Sequence, residues 1–189
     1  MNKLLDRKSI RLKDYDYSNS GYYFITICTQ NNNNLFGEIA DNKMVLNKAG
    51  QMIKRWVKEL EIKFMNMKVD KFIIMPNHFH IIISIESTEH EGGHIDPPLQ
   101  LNVGVDLCVN PSPSLSHIIQ WFKTMTTNDY IKGVKDNVYP PFDKRIWQRN
   151  YYEHIIRQET EYIKIYEYIE NNPLKWAEDK YYQTNDSTI

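Results

Sequence analysis

Two neighbouring apolar segments, joined by Pro76-Asn77, constrain the fold of this sequence more than any other feature. Residues 66–75 and 78–86 are rich in β-branched and aromatic side chains, a composition typical of β-strands. Successive side chains of a strand point to opposite faces, so His78 and His80 share one face of the second segment, while its other face is apolar throughout. The pattern predicts two adjacent strands, the second of them at the centre of a sheet.

The remaining sequence alternates between strand and helix patterns. The predicted elements, in order, are a strand (22–30), a hairpin (35–46), a helix (48–62), the two strands above, a second helix (115–131), a strand or extended segment (145–156) and a third helix (158–171). Strands joined by hairpins, with helices between them, are typical of α+β domains. We therefore expect a ferredoxin-like antiparallel sheet with helices on one face and a helix near the C-terminus.

The chain is expected to form a single domain over residues 1–189, with a long surface loop at about 87–112 that carries glycine and proline pairs. Apolar residues make up 41% and charged residues 25% of the sequence, a balance that excludes a wholly disordered protein. The first residues have no apolar signal core, and no apolar run approaches the ~20 residues that span a bilayer. We interpret the protein as soluble and cytoplasmic, with no membrane partner.

The net charge argues against one class of DNA-binding protein. Lys and Arg number 23, Asp and Glu number 24, and the net charge is −1, so bulk electrostatic coating of nucleic acid is not expected. The charge is unevenly distributed, because residues 113–157 are more basic than acidic and residues 158–189 are strongly acidic. A local basic surface is compatible with this composition.

The His78 and His80 side chains predict a metal site. Their Cβ atoms would lie ~6–7 Å apart, which is twice the rise of a strand, so both imidazoles can approach one ion. Neutral imidazole is a common ligand of metals in proteins. Two ligands leave a metal under-coordinated, and the alternative is a chance pair whose rings hydrogen-bond on the sheet face. The hypothesis therefore requires further ligands.

The third predicted helix offers a nucleophile and a further ligand. Tyr168 and Asn172 are four residues apart, so their side chains are neighbours on the helix surface. A phenol, with a pKa of about 10, is a weak nucleophile at neutral pH, but a phosphate held by a divalent ion is attacked more readily. We favour Tyr168 because it has both the carboxamide four residues on and a position beside the apolar stripe. Four other tyrosines remain alternatives: Tyr151, Tyr152, Tyr162 and Tyr166.

Five segments of the sequence together resemble a known family. They are, in order, GYYFITICTQ, MPNHFHIIISI, LSHIIQWFKTMTT, IWQRNYYEHIIR and YIENNPLKW, and they extend over about residues 10–176. In this order they resemble the single-tyrosine transposases that carry a His-hydrophobe-His (HUH) strand and a helix-borne tyrosine. The resemblance is closest to the REP-associated tyrosine transposases. Its specificity lies in the order of all five segments rather than in any one of them.

The resemblance implies a metal-dependent DNA transposase with endonuclease and strand-transfer activity. It implies that His78, His80 and Asn172 bind Mg²⁺ or Mn²⁺, and that Tyr168 attacks a DNA phosphate. The products would be a 5′-phosphotyrosine link and a free 3′-hydroxyl. A 3′-hydroxyl then displaces the tyrosine, so DNA transposition and recombination by this route need no ATP.

The expected partner is single-stranded DNA, often beside a hairpin, bound by a monomer or a homodimer. Aromatic side chains such as Trp147, Tyr151 and Tyr152 can stack on unpaired bases. Basic side chains can contact phosphates, and the candidates are Lys123, Arg145, Arg149 and Arg157. Each of these residues has an ordinary structural explanation as well, in the core or on the solvated surface.

Two other functions remain open on the sequence. The first is a DNA-hairpin-binding module without catalytic activity. The second is a small metal-dependent hydrolase in which a third histidine, one of His94, His117 and His154, joins the pair. The predicted helices lack the His-Glu-His arrangement that many such hydrolases carry on one helix.

Overall fold

The computed structural model of the protein describes residues 20–86 and 113–182. The predicted loop at 87–112, which includes His94, lies outside these ranges, as does the beginning of the segment that carries the family resemblance. The statements below concern the described residues.

The secondary structure follows the predicted order. The elements are β1 (Gly21–Cys28), β2 (Gly37–Ala40), β3 (Lys43–Leu46), α1 (Lys48–Lys63), β4 (Met67–Ile74), β5 (His78–Ile85), α2 (Leu115–Lys135), β6 (Tyr152–Ile156) and α3 (Glu159–Asn171), with short 3-10 helices at Gln30–Asn32 and Pro173–Glu178. The segment predicted as extended at 145–156 is regular only in its last five residues, which form β6.

Two local features explain where the first hairpin and helix begin. Asp41 and Asn42 join β2 to β3 with positive φ angles of 50° and 58°, a conformation that Asx residues tolerate and that matches the twist of a two-residue hairpin. Asn47 then caps α1, because its side-chain oxygen accepts a hydrogen bond of 2.9 Å from the amide of Gly50. A side chain at Gly50 would collide with the carbonyl oxygen of Phe36, so the helix lies directly against the chain before β2.

A four-stranded sheet in the order β4-β5-β1-β6 forms the centre of the molecule, and every pairing is antiparallel. β5 is therefore a central strand, as its apolar pattern predicts. Its partner β1 places Cys28 opposite His78 and Thr26 opposite His80. The antiparallel α+β fold expected from the sequence is confirmed.

Helices α1 and α2 pack on one face of the sheet, over the main core that includes Ile25, Phe79, Ile83 and Phe122. Helix α3 packs on the opposite face, where a smaller cluster joins Ile169 to Phe24, Ile82 and Ile156. The expectation of helices on one face thus holds for α1 and α2 only, because α3 covers the apolar residues of the face that carries the histidines. This position of α3 determines the site described below.

None of the described helices is both long and apolar enough to cross a membrane.

Candidate active site

His78 and His80 lie side by side on the face of β5 that α3 covers. Their ring centroids are 4.6 Å apart, and the two residues are only 0% and 1% exposed. Burying two polar rings is unfavourable unless each finds partners for its nitrogens. The partners of each ring indicate what the site can bind.

The hydrogen bonds around Asn77 determine which nitrogen of His78 carries the proton. The amide nitrogen of Asn77 donates to the carbonyl oxygens of Asn32 at 3.0 Å and Tyr181 at 2.7 Å. Its oxygen is thereby turned towards Nδ1 of His78, 2.9 Å away. An amide oxygen can only accept, so Nδ1 of His78 is the donor and Nε2 holds a free lone pair.

His80 is held between two hydroxyl groups. Its Nδ1 lies 2.8 Å from the hydroxyl oxygen of Thr26, the residue opposite it on β1. Its Nε2 lies 3.3 Å from the phenol oxygen of Tyr168 on α3. The structure therefore brings the predicted nucleophile to the predicted ligand within one chain.

Asn172 and Asp179 complete the surroundings of the histidines. Helix α3 ends at Asn171, and Pro173 begins a 3-10 helix that turns the chain back over β5. The amide nitrogen of Asn172 donates to the Asp179 carboxylate at 3.2 Å, which turns the amide oxygen the other way. The other carboxylate oxygen of Asp179 accepts a hydrogen bond of 2.7 Å from the backbone N–H of Tyr181. Hydrogen bonds to both oxygens therefore fix the orientation of the carboxylate.

The donor set fits a divalent cation. Ligand atoms of His78, His80 and Asp179 all lie within 4.8 Å of one another. Nε2 of His78 and Oδ1 of Asn172 are buried and have no hydrogen-bond partner among the described residues, although buried polar atoms are normally satisfied. Both atoms carry lone pairs and no proton, so a cation can satisfy them together. Two imidazoles with a carboxylate and an amide oxygen form a mixed N/O set that suits Mn²⁺ or a similar transition ion and is also accessible to Mg²⁺.

The electrostatics of the histidines favour the neutral, metal-binding form. Burial, followed by the charge of Lys180, lowers the pKa of His78 to about 3, and the neighbouring Asn172 amide acts in the opposite direction. Burial, the neighbouring His78 and Lys180 also hold the pKa of His80 well below its ordinary value. Both imidazoles are therefore neutral at physiological pH, the state in which imidazole binds metals.

Tyr168 lies beside an open cavity, which allows a substrate to reach its phenol oxygen. The residue is 41% exposed and lines, together with Phe24, His80 and Tyr152, a cavity of about 650 Å³. Burial and, secondarily, the Asp179 carboxylate raise the pKa of Tyr168. The phenol is thus protonated at neutral pH, and it would have to lose its proton to act as a nucleophile.

Two aromatic side chains of the C-terminal segment (residues 173–182) cover His78. The ring of Trp176 lies 5.8 Å and that of Tyr181 4.6 Å from the His78 ring, between centroids. These two rings explain the complete burial of His78. The cavity reaches the site from the other side, where His80 and Tyr168 line it.

The predicted DNA-binding residues separate into two groups. Arg145 and Arg149 line a second cleft, of about 620 Å³, beside α2 on the other side of the sheet from the histidines. Lys123 also lines this cleft, but its ammonium donates to the carbonyl oxygens of residues 148, 149 and 150 at 3.0, 3.4 and 3.2 Å and so holds that segment in place. Arg157 lies elsewhere, at the end of β6, and lines a small pocket with Tyr22 and Tyr162.

Three residues of the site were not predicted from the sequence: Thr26, Asn77 and Asp179. Two features of the sequence pointed towards them. Asn77 directly precedes the histidine motif, and Pro173 indicates that the chain turns after Asn172. Of the alternative third histidines, His154 pairs with Glu161 at 2.6 Å and the ring of His117 contacts Phe64. Neither belongs to the cluster around His78 and His80 among the described residues.

Comparison with solved structures identifies the fold. The protein is similar to a REP-associated tyrosine transposase bound to a REP hairpin, with a TM-score of 0.54 and 18% identity, over 87% of this chain and 73% of that one. It is also similar to a candidate transposase from Deinococcus radiodurans R1, with a TM-score of 0.48 and 12% identity, over 85% and 95% of the two chains. At 18% identity, the first of these similarities shows a shared α+β fold.

One curated relative is much closer in sequence. A protein of Haemophilus influenzae Rd, described as uncharacterized, is 43% identical over 176 residues, which is 93% of both chains. This chain belongs to the same family as that protein. No protein-family model matches the sequence.

Proposed function

We propose that the protein is a tyrosine transposase that cleaves and rejoins single-stranded, hairpin-containing DNA. The observation that carries the proposal is the position of the Tyr168 phenol oxygen, 3.3 Å from Nε2 of His80 at the edge of an open cavity. The fold is shared with a solved REP-associated tyrosine transposase whose structure holds a REP hairpin. We place the activity in the cytoplasm and in one domain.

In this proposal His78, His80, Asn172 and Asp179 hold a divalent ion, Mg²⁺ or Mn²⁺. Asp179 is an addition to the ligands expected from the sequence. When bound, such an ion polarises a phosphate and offsets the charge of the departing oxygen. The protein supports the ligands through Asn77 and Thr26, which hold the two imidazoles in the required orientation as outer partners of metal ligands usually do.

Tyr168 supplies the nucleophile. Its oxygen forms a bond to the phosphorus of the scissile linkage, and the bond to the 3′-oxygen breaks. The phenol loses its proton and the departing 3′-oxygen gains one, which leaves a 5′-phosphotyrosine and a free 3′-hydroxyl. The exchange conserves the number of phosphoester bonds, so a 3′-hydroxyl can reverse it in a joining step without ATP.

The second cleft supports binding of the DNA around the scissile linkage. Tyr152 lines the catalytic cavity, and the preceding residue, Tyr151, lines the cleft beside α2. Since β6 is an edge strand, a single strand can pass around it from one face of the sheet to the other. Arg145 and Arg149 would then contact phosphates, and Tyr151 would stack on an unpaired base. Lys123 would contribute indirectly, by holding residues 148–150.

The proposal is tested by trapping the covalent intermediate. Labelled oligonucleotides that carry a hairpin flanked by randomised single strands are incubated with the protein and Mn²⁺, and products are separated under denaturing conditions. We expect a protein–DNA adduct that Tyr168→Phe and EDTA both abolish. The matched control is Tyr166→Phe on the same helix, which should form the adduct normally.

Two results would contradict the proposal. An undiminished adduct in folded Tyr168→Phe protein would assign the nucleophile to another residue. Tight hairpin binding by the wild type without any adduct would instead favour a binding module that lacks catalysis.

A further inference from the structure

Lys180 lies at the mouth of the catalytic cavity, and the sequence analysis did not single it out. Its side chain lines the cavity together with His80 and Tyr168. The ammonium nitrogen lies 5.5 Å from the ring centroid of Tyr152 and 4.8 Å from that of Tyr181, within the range of cation–π attraction. The two rings hold the cation over the cavity from the sides of β6 and the C-terminal segment.

Lys164 and Lys175 also line the cavity. Of the three cavity lysines, only Lys180 has an ammonium held by aromatic rings among the described residues.

Among the described residues the ammonium of Lys180 has no anionic partner. No carboxylate of residues 20–86 or 113–182 forms a salt bridge with it, although Glu178 and Asp179 precede it in the chain. Lys123 is different, because its ammonium already donates to three carbonyl oxygens. A lysine without an anionic partner beside a polar cavity is well suited to bind an anion.

The proposed reaction needs such a cation. Glu167, Glu178 and Asp179 line the same cavity and would repel a phosphodiester. Attack on phosphorus also develops charge on its nonbridging oxygens, which a positioned cation stabilises.

We propose that Lys180 is a further catalytic residue, whose ammonium donates a hydrogen bond to a nonbridging oxygen of the scissile phosphate while Tyr168 attacks. This inference rests on the proposed function. No proton is transferred in the contact; Lys180 acts through its charge and its N–H groups. Tyr152 and Tyr181 position the ammonium.

The test compares Lys180→Gln with Lys175→Gln, which removes the same charge from the same cavity. With the hairpin oligonucleotides at saturation in Mn²⁺, Lys180→Gln should slow adduct formation about 100-fold, and Lys180→Arg should recover part of the rate. Lys175→Gln should stay within about threefold of wild type, because among the described residues aromatic rings hold only the Lys180 ammonium of this pair over the cavity. Calorimetry should show that Lys180→Gln binds Mn²⁺ at least as tightly as the wild type, because the variant removes a positive charge near the ligands; this result separates the loss of a phosphate contact from damage to the ligands.

A second arm measures binding of the same oligonucleotides in EDTA by fluorescence anisotropy and does not depend on catalysis. Lys180→Gln should weaken binding about fivefold more than Lys175→Gln does. Equal rates and equal affinities in the two variants would overturn the role of Lys180 and leave the proposed function standing. Absence of any adduct in the wild type would count against the proposed function and against a catalytic role of Lys180. The binding measurement would then decide only whether Lys180 contacts the DNA.

Discussion

The phenol oxygen of Tyr168 lies 3.3 Å from Nε2 of His80, although the two residues are 88 positions apart in the chain. The contact joins the last long helix to the central strand on the face opposite α1 and α2. In this structure one chain brings the phenol and the imidazoles together. The contact also has a consequence for metal binding, since the lone pair of Nε2 can serve only one partner at a time.

We predict that Tyr168→Phe does not weaken Mn²⁺ binding, because it removes a competitor for Nε2 of His80. His78→Ala and Asp179→Asn should each reduce the affinity by at least about 100-fold, more than the loss of an outer partner usually causes. Isothermal titration calorimetry with the metal alone measures all three. A loss in Tyr168→Phe as large as that in His78→Ala would mean that the phenol is itself a ligand.

Thr26→Val tests the support of His80 by its neighbour on β1. Valine has nearly the same shape as threonine but cannot hydrogen-bond Nδ1 of His80, which now lies 2.8 Å from the hydroxyl. We expect about a tenfold loss of Mn²⁺ affinity with the fold retained. Thr124→Val is the control, since its hydroxyl bonds the Gln120 carbonyl on the exposed side of α2. Equal affinities in the two variants would show that Thr26 has no part in the site.

The metal-free protein should become less stable as the pH is lowered below about 6.5. The unfolded chain protonates its histidines there, whereas burial keeps His78 neutral down to a pKa of about 3. The unfolded state then binds more protons, so acid favours unfolding. For one such histidine the loss between pH 6.5 and 5 is about 1.5 kcal/mol, and His80 adds to it in the same direction.

Urea unfolding in EDTA at several pH values measures this dependence. His78→Gln should reduce the loss of stability between pH 6.5 and 5 by the amount expected for one buried histidine, about 1.5 kcal/mol. The control, His117→Gln, removes an exposed imidazole instead. Identical pH dependence in wild type and His78→Gln would contradict the burial of a neutral ring.

The order of strands and helices could be predicted because each element carries its own periodic pattern. Tyr168 and Asn172 could be paired for the same reason, since residues four apart on a helix are neighbours. The packing of α3 on the histidine face was harder to predict. The available indication was that Phe24 and Ile82 are apolar side chains on that face, which another element must cover.

Asp179 and Lys180 could not be placed from the sequence, because their positions depend on how the chain turns after Pro173. That turn is a tertiary arrangement, stabilised by the Asn172–Asp179 and Asn77–Tyr181 hydrogen bonds. The role of Lys123 was equally hidden. Lys123 was predicted to contact phosphates, and only the position of residues 148–150 beside α2 shows where its ammonium donates.

Arg149→Gln tests the second cleft as a DNA surface. Removing one phosphate contact should weaken binding of a single-stranded hairpin oligonucleotide in EDTA and reduce the slope of log K against log salt by about 0.7. Lys58→Gln, on the exposed side of α1, serves as the control for loss of one positive charge. An unchanged slope in Arg149→Gln would remove this cleft from the DNA path.

The central claim is that the Tyr168 oxygen becomes covalently linked to DNA, and peptide mapping of the trapped adduct tests it most directly. After digestion with protease and nuclease, mass spectrometry should find a nucleotide 5′-phosphate on the peptide that contains Tyr168, with Tyr162 and Tyr166 unmodified. A nucleotide attached to any other residue, or an adduct that forms equally well in folded Tyr168→Phe protein, would contradict the account.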